Sequence, residues 1–141
     1  MARENARRDV ELLIGRLIAP LRTLLRQPGG FLPFAAYLDT ARRARKFAVQ
    51  ADESADPEAL VRFLEDRMRE AAAAGKAIAT AIVSDTRATP PGERAPVDCA
   101  AFALDHRAGL SLVVLLPYAR QKRGAVTFGE MFACEGEHRI F

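Results

Sequence analysis

The feature that most constrains this fold is a change in the spacing of apolar residues at Gly75. Before it, apolar residues recur every three or four positions, which is typical of helices; after it, they alternate or run together, which is typical of strands. We predict strands over 76–85, 97–106, 110–118 and 125–133, with a loop over 86–96. Most of the turns between them are short, which indicates antiparallel neighbours, because a parallel connection needs a crossover of about a dozen residues.

Two helices are predicted before that point. The first, over 5–26, has an apolar stripe and an opposite face rich in arginine, and Pro20 inside it predicts a kink. This helix could lie on a membrane surface, but packing on the sheet is the preferred interpretation. The second begins at 56–58, where Asp caps the free amides, Pro suits the first helical position and Glu favours the positive end of the dipole. It ends at Gly75 in the left-handed conformation that glycine tolerates.

Between the two helices, we predict a hairpin of two strands over 31–39 and 44–50, followed by a small acidic segment over 51–55. Residues 137–141 add a short edge segment. The order is therefore α-β-β-α-β-β-β, with a further strand at the end. We expect an α+β fold in one globular domain over 1–141, with two helices on a single antiparallel sheet of five to six strands.

Composition excludes several classes of protein. Of the 141 residues, 50% are hydrophobic, which excludes intrinsic disorder of the whole chain. The apolar run over 112–116 is far short of the roughly 20 residues that cross a bilayer, and the charged N-terminus is unlike a secretory signal. We expect a cytoplasmic protein. The 21 basic and 18 acidic residues give a net charge of +3, and all but three of the basic ones are Arg, so the net charge indicates no particular partner.

No motif identifies a chemistry. The chain has no phosphate-binding loop, dinucleotide fingerprint, nucleophile elbow or zinc-ligand spacing, so we predict no cofactor and no metal site. Cys99 and Cys134 are too isolated in sequence to predict a disulfide, and Cys99 is interpreted as a small core residue.

Acidic and histidine side chains at strand ends leave an alternative open. Asp85, Asp98 and His106 could converge as acid and base groups if the ends of their strands meet. A metal site from Asp105, His106 and His138 is a weaker alternative, since these residues have no local ligand spacing. The simpler interpretation of His106 is a solvated turn histidine.

Four aromatic residues, Phe31, Phe34, Tyr118 and Phe128, are candidates to line a binding pocket. Core positions are the simpler interpretation of these four residues. The candidate binding residues are Phe31, Phe34, Asp85, His106, Tyr118, Phe128 and Glu130.

Two basic clusters are also predicted. The first lies on the hairpin and contains Arg42, Arg43, Arg45 and Lys46; the second lies in a later turn and contains Arg120, Lys122 and Arg123. If both lay at one end of the sheet, they would form a cationic edge able to hold phosphates. The alternative is that they keep strand edges soluble and unpaired. We expect no nucleic-acid binding, because the aromatic residues fall at core positions.

The element order over residues 5–133 is similar to that of profilin-like domains, and among them to roadblock/light-chain-type domains. Separately, the segments 30–34, 117–118 and 128–130, with Asp85 and the terminal Ile140-Phe141, resemble a group of small bacterial proteins of unknown function. The profilin-like resemblance implies a non-catalytic protein-interaction module, expected to be a homodimer that uses a strand edge or a helix face. The alternative is a small-ligand-binding or enzymatic domain that uses the Asp and His groups at strand ends.

Overall fold

The structure, a computed structural model, describes residues 2–47 and 56–141. Its elements follow the predicted order. They are α1 (Ala2–Leu25), β1 (Phe34–Asp39), β2 (Ala44–Phe47), α2 (Pro57–Ala73), β3 (Ala77–Ala88), β4 (Val97–His106), β5 (Ser111–Arg120), a 3-10 turn (Lys122–Gly124), β6 (Val126–Phe128) and β7 (Phe132–Glu135). The predicted α+β class with a single antiparallel sheet is confirmed.

The strands lie in the order β2-β1-β3-β4-β5-β6, and β7 also pairs with β5. β6 pairs with the end of β5 and β7 with its beginning, so the two share one edge. The prediction of one strand over 125–133 is therefore wrong, because the chain leaves the sheet at 129–131. Pro117 explains the break, since it has no N–H for the ladder, and the Gly129 N–H donates instead to the Pro117 carbonyl at 2.8 Å.

One face of the sheet is covered by α1. Its apolar stripe is fully buried at Leu13, Leu17, Leu21 and Leu25 and packs on side chains of the four central strands, among them Phe102. The stripe therefore packs on the sheet, as preferred from the sequence. The helix continues through Pro20, and the kink expected there stays a prediction.

The opposite face is covered by α2, whose Leu64 and Met68 are fully buried. Both of its predicted ends are confirmed. The Asp56 carboxylate accepts a hydrogen bond from the Glu58 N–H at 3.2 Å, and Gly75 has φ +71°.

The C-terminal residues cross the sheet beside α2, so the edge segment predicted over 137–141 is wrong. The His138 N–H donates to the Ser111 hydroxyl at 3.1 Å, and the Arg69 guanidinium donates to the Arg139 carbonyl at 2.6 Å. Ile140 is buried against α2. This apolar burial beside the helix explains why the segment leaves the sheet edge.

Two strand boundaries beside the candidate functional site also differ from the prediction. β1 begins at Phe34, three residues later than expected, and β3 continues to Ala88 because its pairing with β4 extends to Val97. Residues 48–50 of the second predicted strand, and the acidic segment 51–55, lie outside the described residues. Since β1 begins opposite Val83, residues 84–88 extend beyond their neighbour on that side.

Candidate functional site

A cleft of about 900 Å³ lies where β3 extends beyond β1. This volume falls within the range of roughly 300–1,000 Å³ that is typical of ligand sites. Its walls are the segment between α1 and β1 and the first turns of α2, and its floor is β3. The lining residues are Pro28, Gly30, Phe31, Leu32, Pro33, Pro57, Glu58, Val61, Arg62, Glu65, Ser84, Asp85, Thr86 and Arg139.

The floor of this cleft is a strand edge without a paired strand on its outer side among the described residues. Residues 84–88 pair with β4 on one side, and within residues 2–47 and 56–141 no strand pairs with them on the other. The segment that precedes β1 bends across this edge, because Phe31 belongs to the core under α1 and Leu32 packs with the core under α2. An open strand edge presents backbone N–H and C=O groups to any extended chain that lies beside it.

A hydrogen bond between two predicted site residues supports one wall. The Tyr118 hydroxyl donates to the Asp85 carboxylate at 2.7 Å. Gly30 lies so close to this carboxylate that a Cβ at that position would overlap it, so the approach requires glycine. Burial, and then the Asp85 carboxylate, raise the pKa of Tyr118 far above its ordinary value, because both disfavour a phenolate. Asp85 therefore joins the 28–33 segment to β5.

Arg120 supports the same wall from its other side. Its guanidinium donates to the Leu25 carbonyl at 2.8 Å and to the Gly29 carbonyl, and it lies 5.5 Å from the centre of the Tyr118 ring. The Leu25 carbonyl is one of the free acceptors at the end of α1, so Arg120 completes the end of that helix. Arg120 belongs to the second predicted basic cluster, but its guanidinium is bound by two backbone carbonyls.

The cleft contains charges of both signs. Arg62 and Arg139 line it with Glu58, Glu65 and Asp85. Among the carboxylates, the Glu65 side chain is only 9% exposed, and its contact with Arg139 measures 3.5 Å between Nη1 and Oε2. Normal N–H···O hydrogen bonds measure about 2.7–3.2 Å, so this contact is weak for a buried charge.

His106 lies at the opposite end of the sheet from Asp85. The register places His106 opposite Ala79, near the start of β3, and Asp85 near its end, so the structure does not bring the predicted acid and base groups together. The His106 Nδ1 accepts from the Ala108 N–H at 3.0 Å, so in the neutral ring Nε2 carries the proton and donates to Asp9 at 2.9 Å. Both ring nitrogens are engaged and the residue is 5% exposed, in contrast to the solvated histidine expected from the sequence.

Asp9 joins α1 to this end of the sheet. It is 4% exposed and also accepts a hydrogen bond from the Arg42 guanidinium at 2.9 Å. Burial raises the pKa of Asp9, but the hydrogen bonds from His106 and Arg42 outweigh burial, and the net shift is downward. The arrangement suits a structural ion pair that anchors the helix.

Asp105 and His106 point to opposite faces of the sheet, which prevents the alternative metal site with His138. Within the described part of the chain, no group of three or more His, Cys, Asp or Glu side chains is placed to hold a metal ion. Burial raises the pKa of Asp105, and the hydrogen bond from the Ser111 hydroxyl offsets this only in part. The register also places Asp105 opposite Thr80, whose buried hydroxyl has no hydrogen-bond partner.

The predicted aromatic residues lie at the same end of the sheet as the cleft, but only Phe31 lines it. Phe31 and Phe34 pack with their ring centres 6.1 Å apart, and Phe128 lies opposite Tyr118 in the β5–β6 pair. Glu130 is exposed where the chain leaves the sheet between β6 and β7. Most of these aromatics are therefore core residues.

The two basic clusters lie at opposite ends of the sheet, so they form no shared cationic edge. The hairpin of β1 and β2 is at the His106 end, and the turn after β5 is at the Asp85 end. In the hairpin, Arg43 and Arg45 pair with Asp39. Hydrogen bonds from the Arg43 backbone N–H and from the Arg45 guanidinium lower the pKa of the Asp39 carboxyl. Arg42 and Arg120 are engaged by the contacts described above. The remaining members of the two clusters, Lys46, Lys122 and Arg123, are exposed, and within the described residues they form no ion pair.

Sequence reasoning predicted only Phe31 and Asp85 among the residues that line the cleft; four of those that it missed are Glu65, Ser84, Thr86 and Arg139. Glu65 had one usable signal, because it follows a core leucine on the buried side of α2. The other three come together through contacts distant in sequence. Cys99 is buried as expected, with its pKa raised by burial, and Cys134 is exposed; neither forms a disulfide.

Comparisons of the chain with family models, curated proteins and solved structures found no match. In the ranges that the structure describes, no helix has the length and apolar character needed to cross a membrane.

Proposed function

We propose that the protein is a non-catalytic interaction module that holds an extended segment of a partner protein in the cleft between α2 and the 28–33 segment. The observation that carries this proposal is the unpaired β3 edge at 84–88, of which residues 84–86 form the floor of a cleft of about 900 Å³. Extended peptides bind such edges through backbone hydrogen bonds, and flanking pockets then select side chains. The resemblance to profilin-like domains predicted from the element order also implies an interaction module.

The titratable groups support a binding function over an enzymatic one. A general base must reach its substrate with a free ring nitrogen or carboxylate oxygen. His106 uses both nitrogens internally, and Asp85 accepts from Tyr118 while it packs on Gly30. In these positions, Asp85 supports the wall of the cleft, and His106 anchors α1 at the other end of the sheet.

A selection from a library of random linear peptides displayed on phage tests the proposal. We expect enriched peptides to bind the full chain and to lose binding to Ser84→Trp, which fills the cleft. Arg62→Trp is a second blocking variant at an exposed position on the helix wall, should Ser84→Trp fold poorly. Thr127→Trp, on the exposed face of β6, is the matched control and should bind normally. Enriched peptides that bind the blocked variants as well as the original chain, or no enrichment at all, would contradict the proposal.

Homodimer formation, the expected form of self-association, stays a prediction. The structure gives a reason against the β2 edge as its site, because the described part of that strand, Ala44–Phe47, includes Arg45 and Lys46. Antiparallel pairing of two copies would bring these positive side chains together, and like charges across strands are destabilising. Light scattering at micromolar concentration is the measurement: a dimer mass would support self-association, and a monomer mass would contradict it.

A further inference from the structure

We infer that the cleft selects a positively charged side chain of the bound segment, an arginine or a lysine, and that Glu65 is the residue that binds it. This inference rests on the proposed function, since it names the chemistry that the same cleft recognises. It makes Glu65 a specificity-determining residue.

The burial of Glu65 is the first step of the argument. A carboxylate taken out of water is costly unless strong hydrogen bonds or a close opposite charge replace the lost hydration. The Glu65 side chain is 91% buried and lines the cleft, yet its contact with Arg139 is 3.5 Å long. A guanidinium or ammonium group at normal distance would satisfy this carboxylate far better, because charge-assisted bonds of about 2.7–2.9 Å are the strong ones.

The second step is that Arg139 is held by another partner. Its Nε donates to Glu137 at 2.6 Å, and its side chain is 55% exposed. Hydrogen bonding to Glu137, and the charges of Glu137 and Glu65, raise the pKa of Arg139, so the group stays charged. Glu137 therefore provides the main neutralising contact, and Glu65 is left with the longer one.

The C-terminal residues of the chain show how an arginine-bearing segment lies on α2. In residues 137–141, the Arg139 carbonyl accepts from Arg69, Ile140 is buried beside Leu64, and the guanidinium points toward Glu65. A partner segment with the same features would place its cation deeper in the cleft. Arg139 would then compete with it from the rim.

The remaining charges do not reverse this preference. Arg62 is exposed on α2, where solvent screens it. Glu58 is exposed and screened in the same way, and Asp85 contributes a further negative charge to the lining. Among the lining residues, carboxylates therefore outnumber guanidinium groups, and the most buried charge is negative.

The test compares three synthetic peptides in titrations of the full chain followed by NMR. They are acetyl-Leu-Arg-Leu-amide, the same peptide with neutral citrulline in place of arginine, and the same peptide with glutamate. We expect the arginine peptide to bind at least about tenfold more tightly than the citrulline peptide, which has nearly the same shape. Glu65→Gln should remove this difference. Glu70→Gln removes the same charge from an exposed position of α2 outside the cleft and should keep it, whereas Arg139→Ala should tighten arginine-peptide binding several-fold.

The outcomes separate this inference from the proposed function. If all three peptides bind equally and Ser84→Trp blocks all of them, the cleft binds segments but does not select a cation. The inference about Glu65 then fails, and the proposed function stands. Preference for the glutamate peptide would also overturn the inference. If the three peptides fail to bind while the phage library yields ligands, the inference fails and the proposed function stands. Binding that Ser84→Trp and Arg62→Trp leave unchanged would contradict the proposed function itself.

Discussion

Replacement of Tyr118 by phenylalanine tests whether the Asp85 contact supports the wall of the cleft. The change removes only the hydroxyl that donates to Asp85 at 2.7 Å and keeps the ring in the core. Asp85 would then lose a donor while it still lies against Gly30. We expect the 28–33 segment to loosen and the fold to lose stability.

The structure sets the size of this effect. Hydrogen bonds to charged groups contribute about 1.5–3 kcal/mol, and because this one is only partly buried, we expect a loss of about 1.5 kcal/mol in the free energy of unfolding. Urea unfolding followed by circular dichroism measures it, and hydrogen exchange at Gly29–Phe31 reports the loosening. Tyr37→Phe is the matched control on the other face. A loss below about 0.5 kcal/mol, with unchanged exchange at Gly29–Phe31, would refute the reasoning.

The same contact predicts the pH behaviour of Tyr118. Since its pKa is raised in the folded state, the phenol should keep its proton well above the pH of about 10 at which a free tyrosine ionises. The contribution of the protonated Tyr118 to the free energy of unfolding is therefore complete below about pH 10. It is lost as the pH rises through the pKa of Tyr118 in the folded state. The chain has two tyrosines and no Trp, so absorbance of the Tyr37→Phe variant at 295 nm reports Tyr118 alone. Ionisation of the folded protein near pH 10 would contradict the burial argument.

Two further predictions concern buried carboxyls. Asp105 has a raised pKa in the folded state, so its charge destabilises the fold once the pH rises above the unfolded value of about 4. Asp105→Asn should therefore increase the free energy of unfolding at pH 7. A decrease measured by urea unfolding at pH 7 would count against this. The amide could also donate to the Thr80 hydroxyl across the strand pair. Asp9 has a lowered folded pKa, so its contribution is present above about pH 4 and is lost at lower pH. Asp9→Ala should cost about 3 kcal/mol at pH 7 and progressively less as the pH falls below about 4, and a cost that stays constant as the pH falls would exclude the ion pair as the cause.

Local signals in the sequence predicted much of this fold. The cap at Asp56, Pro57 and the left-handed Gly75 define α2, because each acts on backbone groups within one turn. The alternating pattern of β4 gave its limits, since strand pairing buries side chains with a period of two. Antiparallel pairing followed from the short connections.

What the sequence did not predict depends on contacts between distant residues. Asp9 and His106 are 97 positions apart, and neither has a neighbour that marks it as half of a pair. Glu65 and Arg139 meet only because the C-terminal residues turn away from the sheet edge onto α2. Residues 86–88 read as loop because prolines follow closely, whereas pairing with β4 keeps them in β3. The cleft depends on the turn of the C-terminal residues onto α2 and on the extension of β3 to residue 88. No local pattern in the sequence therefore predicts it.

The central claim is that a partner segment lies along the free edge of β3 beside α2. The most direct measurement is an amide NMR titration of the full chain with acetyl-Leu-Arg-Leu-amide, with shift changes mapped residue by residue. The account predicts that the largest changes fall on residues 84–88 and on the first two turns of α2, next to Glu65. Changes centred on the hairpin of β1 and β2 or on the turn between β4 and β5, with residues 84–88 unaffected, would contradict it.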